Sequence, residues 1–93
     1  MIEVQYDGKA LVTARGHAGA GEKGQDLVCA AVTALLMTLG ENSRKQDLRP
    51  GNARISGGDP NIYRAICRGF ARMAVLFPKY VHYTYLGYGE NKK

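Results

Sequence analysis

His17 and Cys29 stand on either side of a glycine-rich run that includes Gly19, Gly21 and Gly24. An imidazole brought back onto a thiol can take its proton and leave a thiolate, the species that attacks carbonyl carbon. Cysteine nucleophilic catalysis, with Cys29 as nucleophile and His17 as general base, is therefore the first reading of this chain. The three glycines give the loop the conformational freedom to close the gap between the pair. At about 100° per residue on a helix, Asp26, Cys29 and Thr33 fall within an arc of about 60°, one polar line on an otherwise apolar cylinder. A cysteine in the first helical turn would lie among unpaired N–H groups and at the positive end of the helix dipole, which favours the thiolate. The competing reading is that a cysteine inside Leu-Val-Cys-Ala-Ala-Val fills a core.

The elements that must position these residues follow from pattern. Met1 to Tyr6 alternates apolar and polar residues, Asp7-Gly8 supplies a turn, and Ala10 to Arg15 resumes the alternation, which predicts a β-hairpin ending just before His17. Asp26 is the expected N-cap of a helix over Leu27 to Leu39, with Gly40 as its stop. Only Thr33 is polar between Leu27 and Met37, so this helix is expected to be buried on nearly every side. Glu41 to Gly51 is polar and reads as a surface connection to a short strand at Asn52 to Ser56. Asp59-Pro60 opens a second helix that runs to about Phe77, where Pro78 stops it. On it Ile62, Ile66, Phe70, Met73 and Phe77 recur every three or four residues. Tyr80 to Leu86 is rich in β-branched and aromatic residues and reads as the last strand; residues 87–93 read as a flexible tail. The expected fold is α+β with the order ββαβαβ, two helices packed on a mixed four-stranded sheet.

The 93 residues, 45% of them hydrophobic, suffice for one domain with one core, residues 1–93, and dimerisation would supplement so small a core. Thirteen Lys plus Arg against eight Asp plus Glu leave a formal charge of +5, which favours acidic or nucleic-acid surroundings. No signal segment is evident, and the apolar run Leu27 to Met37 falls short of the roughly 17–25 residues that span a bilayer, so a cytoplasmic protein without membrane contact is expected. In a reducing compartment Cys29 and Cys67 are expected as free thiols. No two of His17, Cys29, Cys67 and His82 are spaced as a ligand knuckle, so no metal is expected, and no cofactor either. Gly19 to Gly24 matches G-x-G-x-x-G, but a hairpin precedes it and the chain is too short for a doubly wound sheet. Arg64, Arg68 and Arg72 make a basic stripe on the second helix. With Arg44, Lys45, Arg49 and Arg54 they carry the alternative of a small basic RNA-binding or ribosome-associated module without catalysis. Tyr80, Tyr83, Tyr85 and Tyr88 could stack on bases, yet no RNP-like motif accompanies them.

The segments Gly16-His17-Ala18 and Gly24-Gln25-Asp26-Leu27-Val28-Cys29-Ala30-Ala31-Val32-Thr33-Ala34-Leu35 closely resemble the signature of the Prp family, the bacterial ribosomal-processing cysteine proteases. Phe77-Pro78-Lys79-Tyr80-Val81 extends the likeness more loosely. The resemblance implies a catalytic dyad of His17 and Cys29, with Asp26 as a supporting residue and Thr33 at a position that is commonly Ser in the family. It also implies homodimers and, as substrate, the precursor of a large-subunit ribosomal protein, the twenty-seventh, which loses a short N-terminal extension. In that chemistry Cys29 attacks a peptide carbonyl, His17 accepts and returns the proton, and water hydrolyses the acyl-enzyme, with N–H groups at Val28 or Cys29 available to the oxyanion. Asp26 is either an orienting carboxylate or a cap, and Thr33 is first of all a packing and back-bonding residue.

Overall fold

The computed structural model describes residues 1–16 and 25–86, and side chains within the first helix from Leu27 onward. The order is β1 (Ile2–Tyr6), β2 (Leu11–Arg15), α1 (Gln25–Glu41), β3 (Lys45–Arg49), β4 (Asn52–Ser56), α2 (Pro60–Leu76) and β5 (Val81–Tyr85). The strands form a sheet ordered β3-β4-β2-β1-β5, antiparallel throughout except that β5 lies parallel to β1. The fold is thus α+β with two helices on a mixed sheet, and the sheet has five strands rather than four. The expected tail at 87–93 lies outside the described residues.

The extra strand is β3, which pattern assigned to a surface connection. All five of its residues are exposed and only Leu48 is apolar, so it carries no hydropathy alternation. It is held by backbone pairing to β4 on one side, from Lys45↔Ser56 to Arg49↔Asn52, and its charged side chains suit an unpaired sheet edge. Pro50 and Gly51 close the hairpin in two residues, with Gly51 at φ +75°.

The β1–β2 hairpin forms as the sequence indicates. One carboxylate oxygen of Asp7, Oδ1, accepts the N–H groups of Lys9, Ala10 and Leu11 at 2.8, 3.0 and 3.0 Å, which satisfies the connecting backbone without a ladder. Tyr63 on α2 ties this corner to the helix layer, donating its hydroxyl to the Leu11 carbonyl at 2.8 Å. At the start of α2 the Asp59 side chain accepts the Asn61 N–H at 2.7 Å ahead of Pro60, and at its end Phe77 donates its N–H to the Met73 carbonyl at 2.8 Å.

The core lies on one face of the sheet. Ile2, Val4, Val12, Ala14, Ala53, Ile55 and Val81 point inward and meet Val28, Val32, Leu36 and Leu39 of α1 and Tyr63, Cys67 and Phe70 of α2. On α2 the buried line runs through Tyr63, Cys67 and Phe70; Ile62, Ile66 and Met73 flank it, and Phe77 is exposed. Tyr83 stacks on Tyr6 with ring centroids 4.1 Å apart, so Tyr83 serves the core's edge.

Helix α1 departs from expectation in three ways. It begins at Gln25, so Asp26 is a helical residue and not the N-cap. It continues through Gly40 to Glu41, with Gly40 packed against the end of the Gln46 side chain from β3. It is also buried on one side only. Leu27 is 76% exposed and Met37 55%, and with Ala30 and Ala34 they form an uncovered apolar line along the helix.

Candidate active site

Cys29 is the fifth residue of α1, two residues further in than a helix starting at Leu27 would place it. Its own N–H therefore enters the helical ladder toward the Gln25 carbonyl, which withdraws it from the oxyanion role that the sequence suggested. Its side chain is half-buried and opens onto a cavity of about 400 Å³. Val32, Thr33, Leu36 and Met37 continue the α1 wall; the segment from Leu48 through Pro50 and Gly51 to Ala53 forms the facing wall; Ile2, Ala14 and Gly16 line the cavity where the central strands end. Apart from Thr33, Arg49 and Asn52 the lining is apolar, a slot fit for a hydrophobic side chain beside a thiol.

Gly16 stands at the rim. Its φ of +98° is one that glycine adopts freely, and a Cβ at this position would collide with the Met1 carbonyl oxygen. Its N–H donates to the Gly51 carbonyl at 3.0 Å, joining the end of β2 to the turn on the facing wall. His17, the loop glycines Gly19, Gly21 and Gly24, and the Asp26 side chain lie outside the described residues. Among the described site residues, Cys29 and Thr33 line the same cavity, with Thr33 exposed one turn beyond the thiol.

The other thiol has a different environment. Cys67 is buried between Tyr63 and Tyr83, and burial pushes its thiol up from the usual value, against hydrogen bonds from Tyr83 and Tyr63 that act the other way. Both cysteines are free. His82 is an exposed residue of β5, its Nδ1 3.4 Å from Glu3 Oε2. The basic residues that the sequence grouped together are divided by the fold: Arg64, Arg68 and Arg72 are exposed on α2, whereas Arg54, between the buried Ala53 and Ile55 of β4, and Lys45 of the paired strand β3 take the opposite face of the sheet, and Arg49 borders the cavity beside the Pro50-Gly51 turn.

The sequence model of the family described as cysteine protease Prp matches residues 1–53, the stretch that holds Gly16, Cys29, Thr33 and the Leu48–Ala53 wall. The chain belongs to the Prp family of cysteine proteases. Solved structures agree. SMU.848 from Streptococcus mutans superposes with a TM-score of 0.76 at 26% identity, covering 91% of this chain and 93% of its own. The essential ribosomal processing protease Prp from S. aureus, in complex with a substrate peptide, gives a TM-score of 0.72 at 21% identity over 91% of this chain and 99% of its own. The same S. aureus protease with a covalently linked product peptide gives 0.70 at 26% identity, with the same coverage. No curated protein matches the chain significantly. Membership of Prp makes the chain an enzyme and sets aside the non-catalytic RNA-binding alternative. The antiparallel sheet with one parallel edge likewise sets aside the dinucleotide-binding reading. Among the described residues, no helix is long and apolar enough to cross a membrane.

Sequence reasoning missed the facing wall of the site. Its signal was the Pro50-Gly51 pair set between two five-residue segments, Lys45–Arg49 and Asn52–Ser56, a spacing that a two-residue hairpin turn requires.

Proposed function

We propose that this protease removes a short N-terminal extension from a large-subunit ribosomal protein, the twenty-seventh, with Cys29 as nucleophile and His17 as general base. His17 takes the Sγ proton and the thiolate attacks the scissile carbonyl. The imidazolium then protonates the departing amine as the C–N bond breaks. Water, deprotonated by His17, cleaves the thioester and frees Cys29. Asp26 and Thr33 act in support.

The observation that carries this reading is the half-buried Cys29 thiol opening onto an apolar cavity whose rim is Gly16, the residue before His17. An apolar residue preceding the cut would fill the slot between α1 and the Leu48–Ala53 wall and hold an extended peptide across the thiol. The S. aureus protease with its covalently linked product peptide supports covalent chemistry on this fold, and its ribosomal-processing role supports a ribosomal precursor as substrate in the cytoplasm. The uncovered line Leu27, Ala30, Ala34 and Met37 on α1 supports a homodimer, since a second copy could cover it. RNA contact through the basic surfaces would serve approach to the particle and not cleavage. The reading is tested by incubating the protein, its Cys29→Ala variant and its His17→Ala variant with the precursor and determining the mass of any new N-terminus. Cleavage by the wild type alone is expected; cleavage by either variant at the wild-type rate contradicts the dyad.

A further inference from the structure

We infer that the Pro50–Gly51 turn is a positioning element of the site, acting through the hydrogen bond from the Gly16 N–H to the Gly51 carbonyl. The inference rests on the dyad reading above. The β2–β4 strand pairing ends at Arg15↔Asn52, and the Gly16 N–H extends the same register by one more rung, bonding at 3.0 Å to Gly51, a residue of the turn and no longer of β4. Gly16 is also where the chain changes direction, with φ at +98° and its Cα packed so closely on the Met1 carbonyl that no side chain fits. Glycine is the residue least able to hold a direction by itself, so an external contact at this joint fixes the direction in which the chain leaves β2.

The turn making that contact is also the wall of the cavity facing Cys29, formed by Leu48, Arg49, Pro50 and Gly51. Gly51 at φ +75° and its proline neighbour make it a stiff two-residue closure. One short piece of backbone thus borders the slot for an apolar side chain and fixes the end of β2. A substrate side chain that fills the slot bears on the same turn that holds Gly16. Gly51 and Gly16 are positioning residues in this scheme: neither touches the reacting atoms, and their loss should appear in turnover more than in binding.

Chemical synthesis in two segments joined at Cys29 allows Gly16 to be replaced by glycolic acid, which exchanges the N–H for an ester oxygen and leaves every side chain in place. On a peptide carrying the precursor's N-terminal extension, kcat is expected to fall about ten-fold with KM within about two-fold of the all-amide protein, because misplacement of a catalytic group acts on the reacting geometry. Alkylation of Cys29 by iodoacetamide at pH 7 should slow with it. Unchanged kcat overturns the proposal, as does a raised KM at unchanged kcat, which would make the turn a pocket wall alone. Should the ester protein not fold, hydrogen exchange of the Gly16 amide in the unaltered protein decides. Protection of about a hundred-fold or more over an unstructured chain is expected, and exchange at the unstructured rate overturns the proposal. Cys29→Ala separates the two claims. If that variant cleaves normally the dyad reading fails; if it is inactive while the ester protein turns over normally, only the positioning role fails.

Discussion

Tyr63 and Cys67, four residues apart on the buried line of α2, show how one helix face can hold polar atoms without disturbing a core. The Tyr63 hydroxyl donates to the Leu11 carbonyl and receives the Gly8 N–H at 3.3 Å, and burial first, then the neighbouring Cys67, raises its pKa far above the usual value. The Cys67 thiol is likewise held protonated by burial, whereas Cys29 opens onto the cavity. Iodoacetamide at pH 8 should therefore label Cys29 and spare Cys67, read by mass mapping of the modified peptide; preferential labelling of Cys67 would reverse the assignment of roles. Cys67→Ala should cost about 1 kcal/mol in packing and leave turnover intact. Asp7 gives a second test. Partial burial works against its charge, but the N–H groups of Leu11, Lys9 and Ala10 and the Tyr63 hydroxyl outweigh it and hold the carboxyl below its ordinary value of 3.8. Just below that value the unfolded chain binds a proton that the folded chain refuses, so stability rises with pH there. The contribution is fully present above 3.8 and lost as pH falls through the lowered folded value. Asp7→Asn should flatten the Tm-against-pH curve on the acid side, and an unchanged acid limb would show that the Asp7 carboxylate carries no such linkage.

At the scale of elements, α1 and α2 meet closely at Gly69, where a Cβ would already stand 3.0 Å from Leu35 Cδ2 and 3.2 Å from Cδ1. Gly69→Leu should force the helices apart and cost about 1–3 kcal/mol by urea unfolding, while an unchanged midpoint would mean that the crossing is looser than the structure shows. The β1–β2 hairpin, α2 and β5 were legible because each carries local punctuation: Asp7-Gly8, Asp59-Pro60 and Pro78. What escaped depends on partners distant in sequence. β3 is a strand because β4 pairs with it, and its Lys-Gln-Asp-Leu-Arg sequence has no pattern of its own. The exposed face of α1 carries Leu27, Ala30, Ala34 and Met37, apolar residues like those it buries, so composition cannot tell a core from an uncovered surface. The site divided the same way: Cys29 and Thr33 share a wall by helical spacing, but the wall opposite exists only once Pro50-Gly51 folds the edge hairpin back.

For the whole molecule, the apolar line on α1 and the split basic surfaces make opposite demands on solution behaviour. If a second copy covers α1, Leu27→Lys with Met37→Lys should turn a dimer into a monomer by sedimentation at micromolar concentration; a mass unchanged by both substitutions would place any interface elsewhere. Neutralising Arg64, Arg68 and Arg72 together should leave cleavage of a short peptide nearly unchanged, because these side chains are exposed on α2, away from the walls of the cavity. Replacing the apolar residue before the cut by Asp should instead sharply reduce cleavage, since the slot beside Cys29 is largely apolar and Arg49 at its edge is already paired with Asp47 at 3.0 Å. A triple arginine variant that loses peptide cleavage would move recognition from the slot to charge.

Incubation of the wild-type protein and Cys29→Ala with the precursor, followed by mass determination of the product's N-terminus, bears on all of these scales together. One new N-terminus, formed behind an apolar residue by the wild type and absent with Cys29→Ala while that variant keeps its fold, is the expected result. The same product formed at the same rate by Cys29→Ala would contradict a nucleophilic Cys29.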